Sequence, residues 1–217
     1  MATKLKVRTA PRIDAELLAD NFVEQLLTGY VCDAKATGIR LPALQSARSQ
    51  SVEMERCVLR DVALPDPAAC KLRLGDVQIE DADLANIDLT SGSLERVEIV
   101  SARLTGATFS EAQLTSVLFR DCKLDFAVLR MARLQLCVFE NCNLTDADFY
   151  GADLSGTIFR DCNLSQADVS QAKLNAADVR DCRLDGLRGT PASMDGLMIS
   201  PDQASMLITL FGVRVAW

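Results

Sequence analysis

The sequence predicts an all-β solenoid, and three observations carry that prediction. Every fifth residue from Leu44 to Leu184 is apolar or small without a slip of register: of 29 such positions, 27 are Leu, Ile, Val, Phe or Met, and the exceptions are Ser49 and Ala69. The residue two before each is also uncharged, usually Ala, Cys or Val, although 24% of the chain is charged. So many positions would all escape charge about once in ten million trials, so the beat is a real constraint. Five is neither the helical period of about 3.6 nor the strand period of about 2; a repeat this short and this sustained means stacked, identical rungs. The third observation is a longer period. Phe119, Phe139 and Phe159 are 20 apart, as are Cys122, Cys142, Cys162 and Cys182, within the related lines Phe119-Arg-Asp-Cys-Lys-Leu124, Phe139-Glu-Asn-Cys-Asn-Leu144 and Phe159-Arg-Asp-Cys-Asn-Leu164. One coil therefore takes about twenty residues, or four of the short repeats.

The elements follow in order. Residues 1–38 read as an N-terminal helical cap segment: Asp14 caps a helix that presents Leu17, Leu18, Phe22 and Leu26 on one side and stops at Gly29. Its expected task is to cover one open end of the solenoid. Residues 39–189 are the repeat, with Pro65 and Pro67 marking a bulge or loop, Pro67 falling at an inward position. Residues 190–217 form a C-terminal helix–strand module. Ser200 is the N-cap, Pro201 the first helical residue and Asp202 the first-turn acid; the apolar run Ala204–Phe211 ends at Gly212, and Val213–Trp217 is a short strand. Leu207, Leu210, Phe211, Val213 and Trp217 are too apolar to stand in water, so they cap the second end or form a dimer contact.

Composition narrows the function. The chain has 217 residues, a net charge of −7 and aromatics at only 5%. An acidic surface does not bind nucleic acid directly, which needs clustered Lys and Arg. No apolar run is long enough to span a membrane. Met1–Arg8 is basic without an apolar core of its own, so a cytoplasmic protein is expected. There is no histidine, which removes histidine triads, bases and metal ligands. No nucleophile–base pair and no phosphate loop stands out, so no enzyme, cofactor or metal site is expected. Stacked cysteines about 4.8 Å apart could bridge, but buried cysteines in a cytoplasmic chain read as small reduced hydrophobes.

The repeat resembles the pentapeptide-repeat family, whose consensus is A-(D/N)-L-x-x, in Ala82-Asp83-Leu84, Ala147-Asp148-Phe149, Ala152-Asp153-Leu154 and Ala167-Asp168-Val169. The resemblance covers about two thirds of the chain and implies a right-handed quadrilateral β-helix of about seven coils with short terminal helices. At about 4.8 Å per rung the rod is roughly 35 Å long, close to one turn of B-DNA, about 34–36 Å. Relatives of the Qnr and MfpA type imitate duplex DNA to bind DNA gyrase and related type II topoisomerases. Some protect the enzyme from quinolones or peptide toxins, and they dimerise through a C-terminal module. The resemblance thus implies a gyrase-type protein partner, resistance or self-immunity, and a homodimer through Leu207, Leu210, Phe211, Val213 and Trp217. The alternative is a rigid scaffold for an unrelated protein.

Sorting outward residues by the 20-residue period gives candidate surfaces. Asp61, Asp81, Ser101, Asp121, Asn141, Asp161 and Asp181 form an Asp/Asn ladder, preceded by Arg60, Glu80, Val100, Arg120, Glu140, Arg160 and Arg180. The ladder either mimics a phosphate strand or is simply relieved by the neighbouring arginines. Asp76, Glu80, Asp81, Asp83, Asp88, Glu95 and Glu98 form one acidic belt. Glu140, Asp146, Asp148, Asp153, Asp161 and Asp168 form a second. They are a partner footprint or the turn preference of Asp. Between them, Leu118, Phe126, Val128, Met131, Leu136 and Val138 form an apolar waist, with Val58 and Ile158 in the same column as Leu118. The waist is a contact site or apolar surface buried under long neighbouring side chains.

Overall fold

The computed structural model describes residues 8–13, 25–26, 29–38, 51–63, 71–208 and 213. They form a β-solenoid of about six turns, against the seven expected; residues 64–70, inside the first full coil, lie outside the described set, and so does the Pro65–Pro67 loop. In each five-residue unit the central residue and the one two before it point inward. Leu104, Phe109, Leu114 and Phe119, with Ala107, Ala112 and Val117 between them, are fully buried. Small residues at the second inward position let the four sides approach closely, so the interior is dry and filled by one large side chain per side.

The coils stack in parallel with a register of 20 residues. Strand β3 (Ser51–Arg60) pairs with β4 (Lys71–Glu80), which pairs with β5 (Ser93–Val100). Beyond β5 the sheet divides. One branch runs through β7 (Leu118–Arg120), β9 (Val138–Glu140) and β10 (Ile158–Arg160); the other through β6 (Gln113–Thr115) and β8 (Arg133–Gln135). Phe119, Phe139 and Phe159 stack nearly parallel, with ring centroids 4.8 and 4.9 Å apart, which measures the rise per coil. Phe109 and Phe149 meet the ends of this stack edge-on at 5.9 and 6.2 Å.

Closing a square with five residues per side demands a sharp corner at every unit. Twenty-two non-glycine residues have positive φ, and all of them sit two residues after a central one. Many corners are closed by a backbone bond from the N–H three residues on to the central carbonyl, as from Ala107 N–H to Leu104 O at 2.9 Å. At Cys122, Cys142 and Cys162 the thiol instead donates to a carbonyl one coil below, that of Ile99, Phe119 or Phe139, at 3.4–3.5 Å. The seven described cysteines are free; burial pushes the Cys137 thiol up to about 12, away from the reactive thiolate.

The N-terminal side departs from expectation. Tyr30–Cys32 (β1) and Lys35–Thr37 (β2) pair with β3, so residues 30–37 belong to the sheet although the sequence reading placed them in the helical cap segment. Their partners are 23 residues on, as in Tyr30↔Glu53, and this offset hides them from a strict five-residue count. Of the expected helix, residues 14–24 lie outside the described set; Gln25 and Leu26 are helical and Leu26 is buried. At the other end, 3₁₀ turns Pro191–Met194 and Pro201–Gln203 lead into a one-turn helix, Ala204–Leu207. Gln203 closes the rod: its Nε2 donates to the carbonyls of Val179 (2.8 Å) and Cys182 (2.7 Å), and its Oε1 accepts from the Ser200 N–H (2.8 Å). Leu207 is buried in the core with Leu197 and Ile199 alongside, the packing of the capping alternative. Val213 is exposed; Leu210, Phe211 and Trp217 lie outside the described residues.

Two outcomes follow. Phe139→Ala removes the middle ring of the stack and lowers unfolding free energy by about 3–5 kcal/mol in urea titration. Gln203→Leu leaves two buried carbonyls without a donor and costs about 1–3 kcal/mol, read as faster hydrogen exchange at the Val179 amide, which bonds to the Met198 carbonyl.

Candidate functional site

The square coil gives the rod four faces and four edges. The Asp/Asn ladder occupies one edge, and each of its members is a left-handed corner: φ is 48° at Asp61, 53° at Asp81 and Ser101, 54° at Asp121, 51° at Asn141, 50° at Asp161 and 63° at Asp181. Asp and Asn tolerate this conformation better than other residues with a Cβ. The ladder is therefore a consequence of the corner before it is anything else; its side chains repeat at the rise of the coil, with carboxylates at five of seven positions. Asn141 Nδ2 donates to Asp121 Oδ1 at 2.6 Å, linking two rungs.

The neighbouring arginines make their ion pairs with acids beside the ladder. Arg60 pairs with Glu80 at 2.7 Å, Arg120 and Arg160 share Glu140 at 3.0 and 2.8 Å, and Arg180 pairs with Asp178 at 2.7 Å. Three of these four arginines neutralise glutamates of their own column, and Asp81, Asp121, Asp161 and Asp181 remain exposed beside it. The arginines thus make their direct ion pairs with other acids, while the charges of Arg120 and Arg180 still act on Asp121 and Asp181.

The acidic belts are the reverse case. In the first, Asp76 is bound by both ends of the Arg96 guanidinium at 2.7 Å, Asp83 by Arg103 at 2.9 Å, Glu98 by Arg8 at 2.6 Å, and Glu95 by Arg96. Glu80 belongs to Arg60, and Asp88 accepts the Thr90 N–H at 2.9 Å. In the second, Asp148 meets Arg130 (3.5 Å) and Asp153 meets Lys173 (3.8 Å). Asp148, Asp153 and Asp168 each also accept the backbone N–H two residues on, the turn-closing role that explains aspartate at this repeat position. Asp146 is a left-handed corner with φ 56°. The belts wrap several faces of the rod and most of their charge is locally answered; the ladder gathers five aspartates on one edge, interrupted at Ser101 and Asn141.

The waist divides in two. Phe126, Val128 and Met131 lie on one face, with Phe126 59% and Met131 57% exposed. Tyr150 adjoins them, with the Arg130 guanidinium 4.9 Å above its ring, and Met131 rests on Gly151, where a Cβ would meet its sulfur. Leu136 and Val138 belong to the opposite face, half-buried, and Leu118 there is closed to solvent. The six residues therefore form two surfaces, because adjacent corners turn the chain through a right angle. Phe126, Met131 and Leu136 are also left-handed corners (φ 57°, 57° and 56°), an uncommon conformation for large side chains.

Among the described residues no group of three or more His, Cys, Asp or Glu is placed to hold a metal ion, and no helix is long and apolar enough to cross a membrane. The arrangement is a filled solenoid with charged and apolar side chains on its outside. Two family profiles match it: pentapeptide repeats (8 copies) over residues 76–121 and pentapeptide repeat region over residues 132–199. The chain belongs to the pentapeptide-repeat family. Comparison with curated proteins gave no significant match. Among solved structures the chain is similar to a trypsin-treated variant of QnrB1, a plasmid-mediated fluoroquinolone resistance protein: 20% identity, TM-score 0.35, covering 64% of this chain and 92% of that one. It is also similar to a pentapeptide repeat protein from the Arabidopsis thaliana thylakoid lumen, with 29% identity, TM-score 0.26, and 45% and 65% coverage. A third is HetL, involved in heterocyst differentiation regulation in the cyanobacterium Nostoc, with 17% identity, TM-score 0.22, and 78% and 86% coverage.

Arginine pairing sets the acid response. The Arg96 guanidinium holds the Asp76 carboxyl below its ordinary range, and Arg180 does the same for Asp178; at Glu140 burial pushes up, but Arg120 and Arg160 overcome it and leave the carboxyl lowered. A carboxylate whose folded value is depressed contributes stability above its unfolded pKa and loses it as pH falls through the folded one. Stability should be flat from pH 7 to about 5 and decline below about 4. With Asp76→Asn that decline is shallower in acid titrations followed by circular dichroism.

Proposed function

We propose that the protein is a non-enzymatic rod in the cytoplasm that binds a type II topoisomerase, DNA gyrase or a close relative, by presenting a DNA-like acidic edge, and so confers resistance or self-immunity to a topoisomerase poison. The observation that carries this reading is the Asp/Asn ladder: exposed carboxylates at five of the seven corners of one edge, with Ser101 and Asn141 between them, stacked at the 4.8 Å rise of the coil on a chain of net charge −7. A cationic DNA-binding saddle attracts such a line and its low-dielectric walls focus the field. Six turns at about 4.8 Å give a rod of roughly 30 Å, close to one turn of duplex. Homodimerisation through the C-terminal segment, with Val213, Leu210, Phe211 and Trp217 as its contacts, would double that length.

The second reading, a scaffold for an unrelated protein, is favoured by the Phe126–Val128–Met131–Tyr150 face. Large apolar side chains held out in water on left-handed corners suit a contact surface.

One variant separates the readings. Asp81, Asp121, Asp161 and Asp181 all replaced by Asn keep a residue suited to positive φ and remove four charges, so the fold is retained. The topoisomerase reading expects wild-type protein to inhibit gyrase supercoiling at micromolar concentration, or relieve its poisoning, and the fourfold variant to need at least about tenfold more. Unchanged potency in the variant, together with loss of partner capture in Phe126→Asp, would hand the function to the apolar face.

A further inference from the structure

The N-terminal stretch, expected to cap an open end, supplies a strip that crosses the outside of the rod. Arg8 reaches Glu98 across 90 residues of sequence at 2.6 Å, with both side chains less than a fifth exposed. Four residues on, the Arg12 backbone N–H donates to Asp76 Oδ1 at 2.8 Å. Glu98 stands at the middle of the face formed by the second halves of β3, β4 and β5, and Asp76 stands at the edge of that face one coil earlier. The strip therefore runs along the rod axis, against the order of the coils.

A floor lies beneath it. Leu118, one coil above Glu98, is 2% exposed, and Ser116 beside it is 4% exposed. The equivalent outward positions, Gln78, Glu98, Val138 and Ile158 for Leu118, and Arg96 and Leu136 for Ser116, all keep partial access to solvent. Arg8 is also close enough for its charge to act on the Cys137 thiol under the same face. Burial of these two outward residues marks the line of the segment. The segment is basic, with Arg8 and Arg12 in the described strip and Lys4 and Lys6 before it in sequence.

We propose that this face is a groove for an extended basic peptide, with residues 8–13 of the chain as its resident and a cationic extended segment of a partner protein as the competing occupant. Its recognition elements are a carboxylate for an arginine (Glu98), a carboxylate for a backbone N–H four residues later (Asp76, itself oriented by Arg96), and an apolar floor (Leu118). A guanidinium–carboxylate contact with restricted solvent is the strongest of these. The groove uses the Asp76 edge of a face whose other edge carries the Asp81–Asp181 line, and it does not depend on a topoisomerase being the partner.

The test uses full-length protein and a fluorescent peptide with the sequence of residues 1–13 as probe, followed by anisotropy. Wild-type protein, its groove occupied, should bind the probe weakly. Arg8→Ala releases the resident and should raise probe affinity about tenfold, and adding Glu98→Gln should remove the gain. Hydrogen exchange supplies a second reading: the Arg12 amide is protected in the wild type and should exchange faster in Arg8→Ala, with the amides of the coils unchanged. Equal probe affinity in wild type and Arg8→Ala, or a gain that survives Glu98→Gln, would overturn the groove. Gyrase inhibition by the same proteins is read separately: a groove that behaves as stated in a protein inert towards gyrase would sink the topoisomerase reading alone.

Discussion

The rod depends on one backbone constraint: a left-handed residue at nearly every described corner of a square coil. Five residues can turn a right angle and return two side chains to the interior only if one of them takes positive φ, and the chain does this from Asp33 to Gly196. The cost for a residue with a Cβ is about 1–2 kcal/mol, offset by the burial of a Leu, Phe, Ile or Val at each central position. Asp, Asn and Gly reduce the cost, so the corners select them. An acidic edge is thereby built into the architecture, and any use of that edge in recognition is layered on a structural preference.

The fold was almost fully legible because inward residues repeat without interruption and charge never enters their positions. What escaped did so for physical reasons. β1 and β2 pair across 23 residues where the rest pair across 20, so Val31 and Ala36 fall out of the count. The docking of residues 8–13 depends on a contact between Arg8 and Glu98 that no local pattern announces. The role of Gln203 as the plug for the last coil comes from carbonyls more than twenty residues away, which no local pattern announces.

The electrostatics were legible in part. Ion pairs such as Arg60–Glu80, Arg96–Asp76, Arg103–Asp83 and Arg120–Glu140 all join residues 20 apart. Column sorting contains that information, but sequence adjacency suggested pairing with the neighbouring Asp ladder. Adjacent residues at a corner point in different directions, whereas residues one coil apart are nearest neighbours. Counting charges along the chain therefore overstated the belts, whose acids are mostly paired, and understated the ladder. The same geometry split the apolar waist, putting Phe126 and Met131 on one face and Val138 and Leu118 on the other.

As proposed, the rod is a charged ligand for a cationic, DNA-binding surface. The most direct measurement is the affinity of purified protein for DNA gyrase as a function of salt, with and without duplex DNA. Binding that weakens steeply with ionic strength and is displaced by DNA in proportion to its concentration is the predicted result. Binding that is independent of salt and persists at saturating DNA would contradict it.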